Sequence, residues 1–302
     1  MDTGNNNNIK TLIKCNFSPY GKDFEGGKPS GRFCNGKVPS DFIAEELGLK
    51  ELLPAYLDPN LKPSDLPTGV CFASGASGYD PLTPKIVSVI SLSAQLEMFK
   101  EYIEKLKGIV GEERTKFILA NSLVLVVSGS DDIANTYFIA RIRQLQYDIP
   151  AYTDLMLNSA SNFVKVYIYT YIYRFVRNRT LAGGILRECA QKYNEASNLF
   201  NSKLSKRLHS LNRELPDSRV VYIDVYTPLN DVIQNYQKYG YKVVDKGCCG
   251  TGNIEVSVLC NPLSPTCPDV SDYVFWDSYH PTERTYKQLI PPILQKYIQQ
   301  LA

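Results

Sequence analysis

Apolar residues recur at helical spacing over several long stretches of this chain and at strand-like density over others. Leu96, Phe99, Ile103 and Leu106 form one face of a helix over 93–107. Pro39-Ser40-Asp41 opens a shorter helix that closes before Gly48. A helix is predicted over 152–164, a long one over 186–215 that stops at Pro216, and another from about Leu229. A last helix over 281–299 carries Tyr286, Leu289, Ile290, Leu294 and Ile298 as its stripe. Between these lie short apolar runs: 69–73, 122–127 and 219–225 read as buried strands. The run 166–173 alternates β-branched residues with tyrosine and reads as a further strand. The first 40 residues, rich in Gly, Asn, Pro and Ser, read as a long surface loop.

Strands alternating with helices predict an α/β fold with a mostly parallel sheet covered on both faces. Such sheets bind ligands beyond the C-terminal ends of their strands, which draws attention to the loops after 73, 127 and 225. No internal repeat or linker interrupts the 302 residues, so a single domain over 1–302 is expected.

Composition narrows the function classes. The net charge of +2 gives no reason to expect a nucleic-acid partner. Lys203, Lys206 and Arg207 read as a solvated helix face. No apolar run approaches the ~20 residues that span a bilayer, and no signal peptide opens the chain. Of eight cysteines, Cys248, Cys249, Cys260 and Cys267 crowd one region. Their spacing does not fit a zinc finger, so a disulfide-stapled loop is expected, and Cys15 with Cys34 offers a further pair. Disulfides imply an oxidising compartment, with which the sequons at Asn16 and Asn178 are compatible.

Three loops hold candidate chemistry. Gly75, just after the run at 69–73, allows close approach of backbone to a ligand, although a tight turn needs glycine equally. Asp131 and Asp132 follow the run at 122–127, where they can bind a metal, orient a base or cap a helix. Asp277 precedes His280 by three residues in a chain with two histidines; the pair suits a general base with its orienting acid. His209, on the long helix, reads as an exposed helix residue.

In order, these pieces resemble the plant GDSL esterase/lipase family of the SGNH hydrolase superfamily, in its extracellular-lipase branch. Asp2-Thr3-Gly4-Asn5-Asn6-Asn7 is similar to the tail of the family's first block, G-D-S-x-x-D-x-G-N-N-N. Pro19-Tyr20-Gly21, Gly31-Arg32-Phe33-Cys34-Asn35-Gly36 and Gly69 through Gly75 follow its pattern. So do Gly129-Ser130-Asp131-Asp132, the stretch 246–252 and Phe275 through Thr282. The resemblance implies a three-layer α/β/α sandwich and hydrolysis of a small acyl-ester or lipid substrate through a Ser-His-Asp acyl-enzyme route. It assigns His280 as base, Asp277 as its partner, and Gly75 with position 131 as oxyanion-hole donors. No metal or organic cofactor is required. It also implies a secreted, glycosylated monomer active in lipid degradation.

Three departures from the family pattern bear on activity. The serine of the first block is expected two residues upstream of Met1, along with the first strand and any leader, so this polypeptide is expected to lack its nucleophile. Asp131 stands where the family has asparagine, replacing an N–H donor by a carboxylate. Between Val164 and Thr180 the family's L-G-A-R turn and G-x-x-P-x-G-C loop are absent. Impaired or absent catalysis is therefore expected of the polypeptide as it stands, with a non-catalytic binding relative, or a pseudogene product, as the alternative.

Overall fold

The computed structural model describes residues 1–168, 173–177, 191–215, 219–250 and 260–300. The N-terminal 40 residues contain two short 3₁₀ turns but no strand or α-helix before α1 (Pro39–Glu46). They are not the surface loop expected from their composition. Asp2 through Asn6, Cys15, Tyr20 and Gly31 through Gly36 are buried. Their polar side chains take the place of regular structure as partners for buried backbone. Asn5 donates to the carbonyls of Cys71 and Ala73, at 2.8 Å each, and accepts from Leu57 N. Arg32 forms a bidentate pair with Asp41 at 2.8 Å, and Asp41 also accepts from Val38 N and Leu53 N.

Helix α2 (Leu82–Val87) precedes α3 (Leu92–Val110), whose predicted stripe is buried against Tyr56, Leu66 and Leu119. Ser91 caps α3 by accepting from Ala94 N. After α4 (Glu112–Ala120) comes β1 (Leu123–Val127). The run at 69–73 is not a strand; it makes a single parallel bridge, Cys71 to Ala55, because the backbone around it bonds to Asn5 instead. A π-helical segment, Asp132–Ile139, leads towards α5 (Ile149–Ile168). Helix α5 extends into the tyrosine run, and the strand expected there, β2, lies at Tyr173–Arg177. Its position follows its register, Leu123 opposite Tyr173 and Arg174 opposite Val220, rather than the local alternation of the run. Residues 169–172 and the sequon at Asn178, like Cys189, lie outside the described residues.

Helix α6 (Gln191–Glu214) buries Phe200, Leu204, Leu208 and Leu211 against Tyr152, Met156, Ala160 and Val164 of α5. Each large side chain so buried contributes about 1.5–3 kcal/mol. His209 is exposed, and Lys203 and Arg207 pair with Asp154 and Glu214. Strand β3 (Val220–Tyr222) completes a parallel sheet of order β1-β2-β3. Its residues alternate: Val220 and Tyr222 join the α5/α6 cluster, while Val221 packs with α7 (Tyr226–Gln234) and α8 (Glu283–Ile298). Strand β1 alternates likewise, with Val124 and Val126 on the first side and Leu123 and Leu125 on the second. Along β1 only Val126 is fully buried, where a strand buried on both faces was expected; β1 forms one edge of the described sheet.

A second parallel pair, β4 (Val243–Gly247) and β5 (Tyr273–Phe275), carries the cysteine-rich region. Cys248–Cys267 and Cys249–Cys260 are disulfides. The expected Cys15–Cys34 bridge is absent: both are buried free thiols, packed in neighbouring clusters. The Cys34 thiol points at Asn35 Oδ1 and the Pro281 carbonyl instead.

Candidate active site

The turn after β5 presents the Asp–His pair. Trp276 N donates to His280 O at 2.7 Å, closing the turn, and Thr282 caps α8 immediately after it. The turn is pinned from behind. Cys248 N and Cys249 N donate to the carbonyls of Phe275 and Trp276, so the disulfide knot is tied to the segment that bears Asp277. Gly247 lies against it so closely that a Cβ there would stand 2.9 Å from the Asp277 backbone. Gly247→Ala is therefore expected to cost about 1–3 kcal/mol, read as a lower urea midpoint. An unchanged midpoint would show that the turn yields freely.

Asp277 is fully buried and its two oxygens lie 2.9 Å from His280 Nδ1. Tyr279 N and His280 N donate to Oδ1, and Tyr20 OH donates to Oδ2 at 2.9 Å. Burial pushes the carboxyl up, but attraction to His280 and these hydrogen bonds overcome it and hold Asp277 below the usual carboxylate range. A carboxylate only accepts, so the proton between the two sits on Nδ1, and Nε2 is the ring atom left for proton transfer. Phe33 stacks on the imidazole, ring centres 5.4 Å apart, and limits its rotation.

His280 opens into a cavity of about 350 Å³ that Gly75, Asp131, Met1 and Asp2 also line. The structure thus brings the four sequence-predicted positions together. The loops after 73 and β1 contribute, as expected; the loop after β3 does not line the cavity, and the N-terminal block takes its place. At Gly75 a Cβ would meet Phe33 Cε2 at 2.8 Å, so a side chain there would displace the ring that backs His280. The Gly75 N–H is engaged, donating to Asp2 Oδ2 at 3.3 Å. Asp2 accepts also from Gly4, Asn5 and Asn6 N; desolvation nevertheless raises its carboxyl above the usual value.

Asp131 accepts from Asn135 Nδ2 at 2.7 Å, and Asn135 Oδ1 accepts from Tyr279 OH at 2.8 Å. Desolvation pushes Asp131 up to about 6, against the opposing pull of His280 and the Asn135 bond. Its neighbour has a different task. Asp132 is fully buried, accepts from Tyr79 N, Asp80 N and Thr83 Oγ1, and so holds the turn that follows the Gly75 loop. Neither aspartate caps the following helix through its side chain. Among the described residues no group of three or more His, Cys, Asp or Glu is placed to hold a metal ion.

Sequence reasoning missed Tyr20, Phe33, Asn135 and the Asp2–Gly75 contact. Tyr20 and Phe33 lie within motifs quoted for the resemblance, but nothing local reveals that one reaches Asp277 and the other His280, some 250 positions away.

An α/β protein with an Asp–His pair in the turn after a parallel strand, opening into a cavity that a glycine turn also lines, fits the hydrolase class. The family described as GDSL-like Lipase/Acylhydrolase matches residues 2–292. GDSL esterase/lipase EXL3 of Arabidopsis thaliana is 58% identical over 99% of this chain and 85% of its own length. GDSL esterase/lipase At5g42170 of the same plant is 50% identical over 100% of this chain and 84% of its own length. GDSL esterase/lipase EXL2, also from Arabidopsis thaliana, is 47% identical over 99% and 86%. The chain belongs to the GDSL-like lipase/acylhydrolase family, whose members are hydrolases acting on esters.

Proposed function

We propose that this site hydrolyses carboxylic esters of small acyl or lipid substrates by an acyl-enzyme route. His280 Nε2 takes the proton of the family's serine as that serine attacks, and returns it to the departing alcohol. Asp277 fixes the ring and stabilises its charged form. Gly75 N–H and position 131 face the developing oxyanion. The observation that carries this reading is the Asp277–His280 pair, 2.9 Å apart and opening into the same cavity as Gly75.

The surrounding fold is a single domain built as a three-layer sandwich; the alternation of β1 and β3 between two helix-bearing clusters supports this. The protein works as a secreted monomeric glycoprotein in lipid degradation. Two disulfides and an exposed sequon residue, Asn16, favour an oxidising compartment. Among the described residues no helix is long and apolar enough to cross a membrane.

The test uses a chain in which a family member's first block, through Gly-Asp-Ser and the one residue that follows, is joined ahead of Met1. His280→Gln in that chain is expected to lower kcat for p-nitrophenyl butyrate by about 10⁴- to 10⁶-fold with unchanged circular dichroism. Undiminished turnover would remove His280 from the reaction. A binding role without chemistry is favoured by the carboxylates at 2 and 131: Asp2 takes the Gly75 N–H, and Asp131 lines the same cavity. Thermal stabilisation of residues 1–302 by an ester that is not turned over would support it.

A further inference from the structure

Three segments frame the open side of the cavity: 9–14, 82–92 and 133–147. Ile13, Ile86 and Ile139 line it, and Ile86 and Ile139 are also 42% and 41% exposed, so they stand at its rim. Beside Ile13, Leu12 is 99% exposed. Its segment is held in place, because Thr11 Oγ1 donates to the Val87 carbonyl of α2 at 2.7 Å. Beyond Ile139, Ile142 and Leu145 continue the apolar strip into solvent.

The charged residues of these three segments are all basic, although Asp2 and Asp131 lie deeper in the cavity and exposed Asp148 stands just beyond the third segment. The three segments contain Lys10, Lys14, Lys85, Arg141 and Arg143 and not one Asp or Glu. Arg143 is paired with Asp80, and Lys14 donates to the Asn7 carbonyl. Lys10, Lys85 and Arg141 are exposed. The chain as a whole carries a net charge of only +2, so this asymmetry is local.

We propose that this rim is a docking surface for an anionic lipid surface, with Leu12, Ile86 and Ile139 entering the acyl boundary and the basic residues resting on the head groups. Isolated aliphatic tips beside exposed basic residues match the lipid interface. Tyr137 of these segments is buried and Tyr147 half-buried, and no Trp stands among them, so the side chains that the rim exposes are aliphatic rather than the Trp and Tyr anchors that concentrate protein–protein binding energy. Docked in this way, the cavity mouth faces the lipid, and an acyl chain passes from the surface to His280 without crossing water. The proposal rests on the ester-hydrolysis reading for its purpose, but binding is measured without turnover, so the two fail separately.

The experiment is co-sedimentation of residues 1–302 with sucrose-loaded phosphatidylcholine vesicles, with and without phosphatidylglycerol, at low and high salt. Binding is expected on the phosphatidylglycerol vesicles and is expected to fall with salt. Leu12→Asp is expected to lower the partition coefficient at least about tenfold. The double change Lys10→Gln with Lys85→Gln is expected to lower it roughly twenty-fold. Leu263→Asp is the control: Leu263 is 94% exposed but lies in the disulfide loop, away from the cavity, and its change is expected to have no effect. Absence of binding, equal binding to uncharged vesicles, or a loss with Leu263→Asp matching that with Leu12→Asp would each overturn the proposal. Binding that requires an added protein would point to a protein partner and overturn it equally.

Discussion

Residues 1–302 alone are expected to hydrolyse p-nitrophenyl butyrate about 10⁵- to 10⁶-fold more slowly than the same residues joined to a family member's Gly-Asp-Ser block, and to take up no fluorophosphonate label. The basis is the distribution of hydroxyls around His280. Ser74, Ser77, Ser128 and Ser130 line the cavity, yet among the described residues no serine hydroxyl hydrogen-bonds His280. Ser74 Oγ donates to Asn6 Oδ1 and accepts from Ile90 N, so it is committed to the loop. His280 is held by Asp277 and backed by Phe33, with Tyr20 bonded to Asp277, but an imidazole so placed accelerates little without an aligned nucleophile, because the members of such a unit act together. Labelling of residues 1–302 at any serine, abolished by His280→Gln, would show that another hydroxyl fills the role.

In the joined chain, Asp131→Asn is expected to raise kcat/KM about 10²- to 10³-fold at pH 8 and far less at pH 5. An ionised carboxylate beside the developing oxyanion repels it, whereas an amide N–H donates to it. With its pKa pushed up to about 6, Asp131 is neutral below that pH and its O–H can donate, much as the amide would. The gain should therefore grow as pH rises through about 6. Asp2, Tyr279, His280 and Asn135 surround this position, and the ratio of variant to parent rate cancels their shared titrations. The same shift has a stability sign. A carboxyl whose folded pKa is raised contributes stability that is present below its unfolded value and lost as pH rises through the folded value. The parent melting temperature should accordingly fall more than that of Asp131→Asn between pH 4 and 7. A rate ratio that stays flat with pH, or an asparagine variant no faster at pH 8, would place position 131 outside the oxyanion site.

The Asp–His pair was legible because both members lie three residues apart, within one turn, and their chemistry is local. Helices with apolar stripes were legible for a similar reason: α3 and α8 each bury the face that their spacing marks. The run at 69–73 misled because strand-like composition does not decide whether a partner strand or an asparagine side chain takes the backbone bonds. The N-terminal block misled more, since a polar, glycine-rich stretch reads as solvated until buried backbone groups require those same amides. Cys15 and Cys34 show the limit of counting cysteines, as composition supplies two thiols but not the approach that joins them.

The sequence by itself determined the family, the α/β class, the pairing of Asp277 with His280, and the presence of a carboxylate at 131. These rest on residue type and short-range spacing. Only the tertiary structure decided that Tyr20 supports Asp277, that Phe33 backs His280, that Asp2 takes the Gly75 N–H, and that apolar tips and positive charge gather at the cavity mouth. Each of those joins positions far apart in the chain, and what a side chain touches across such separations is set by packing, which no local pattern encodes.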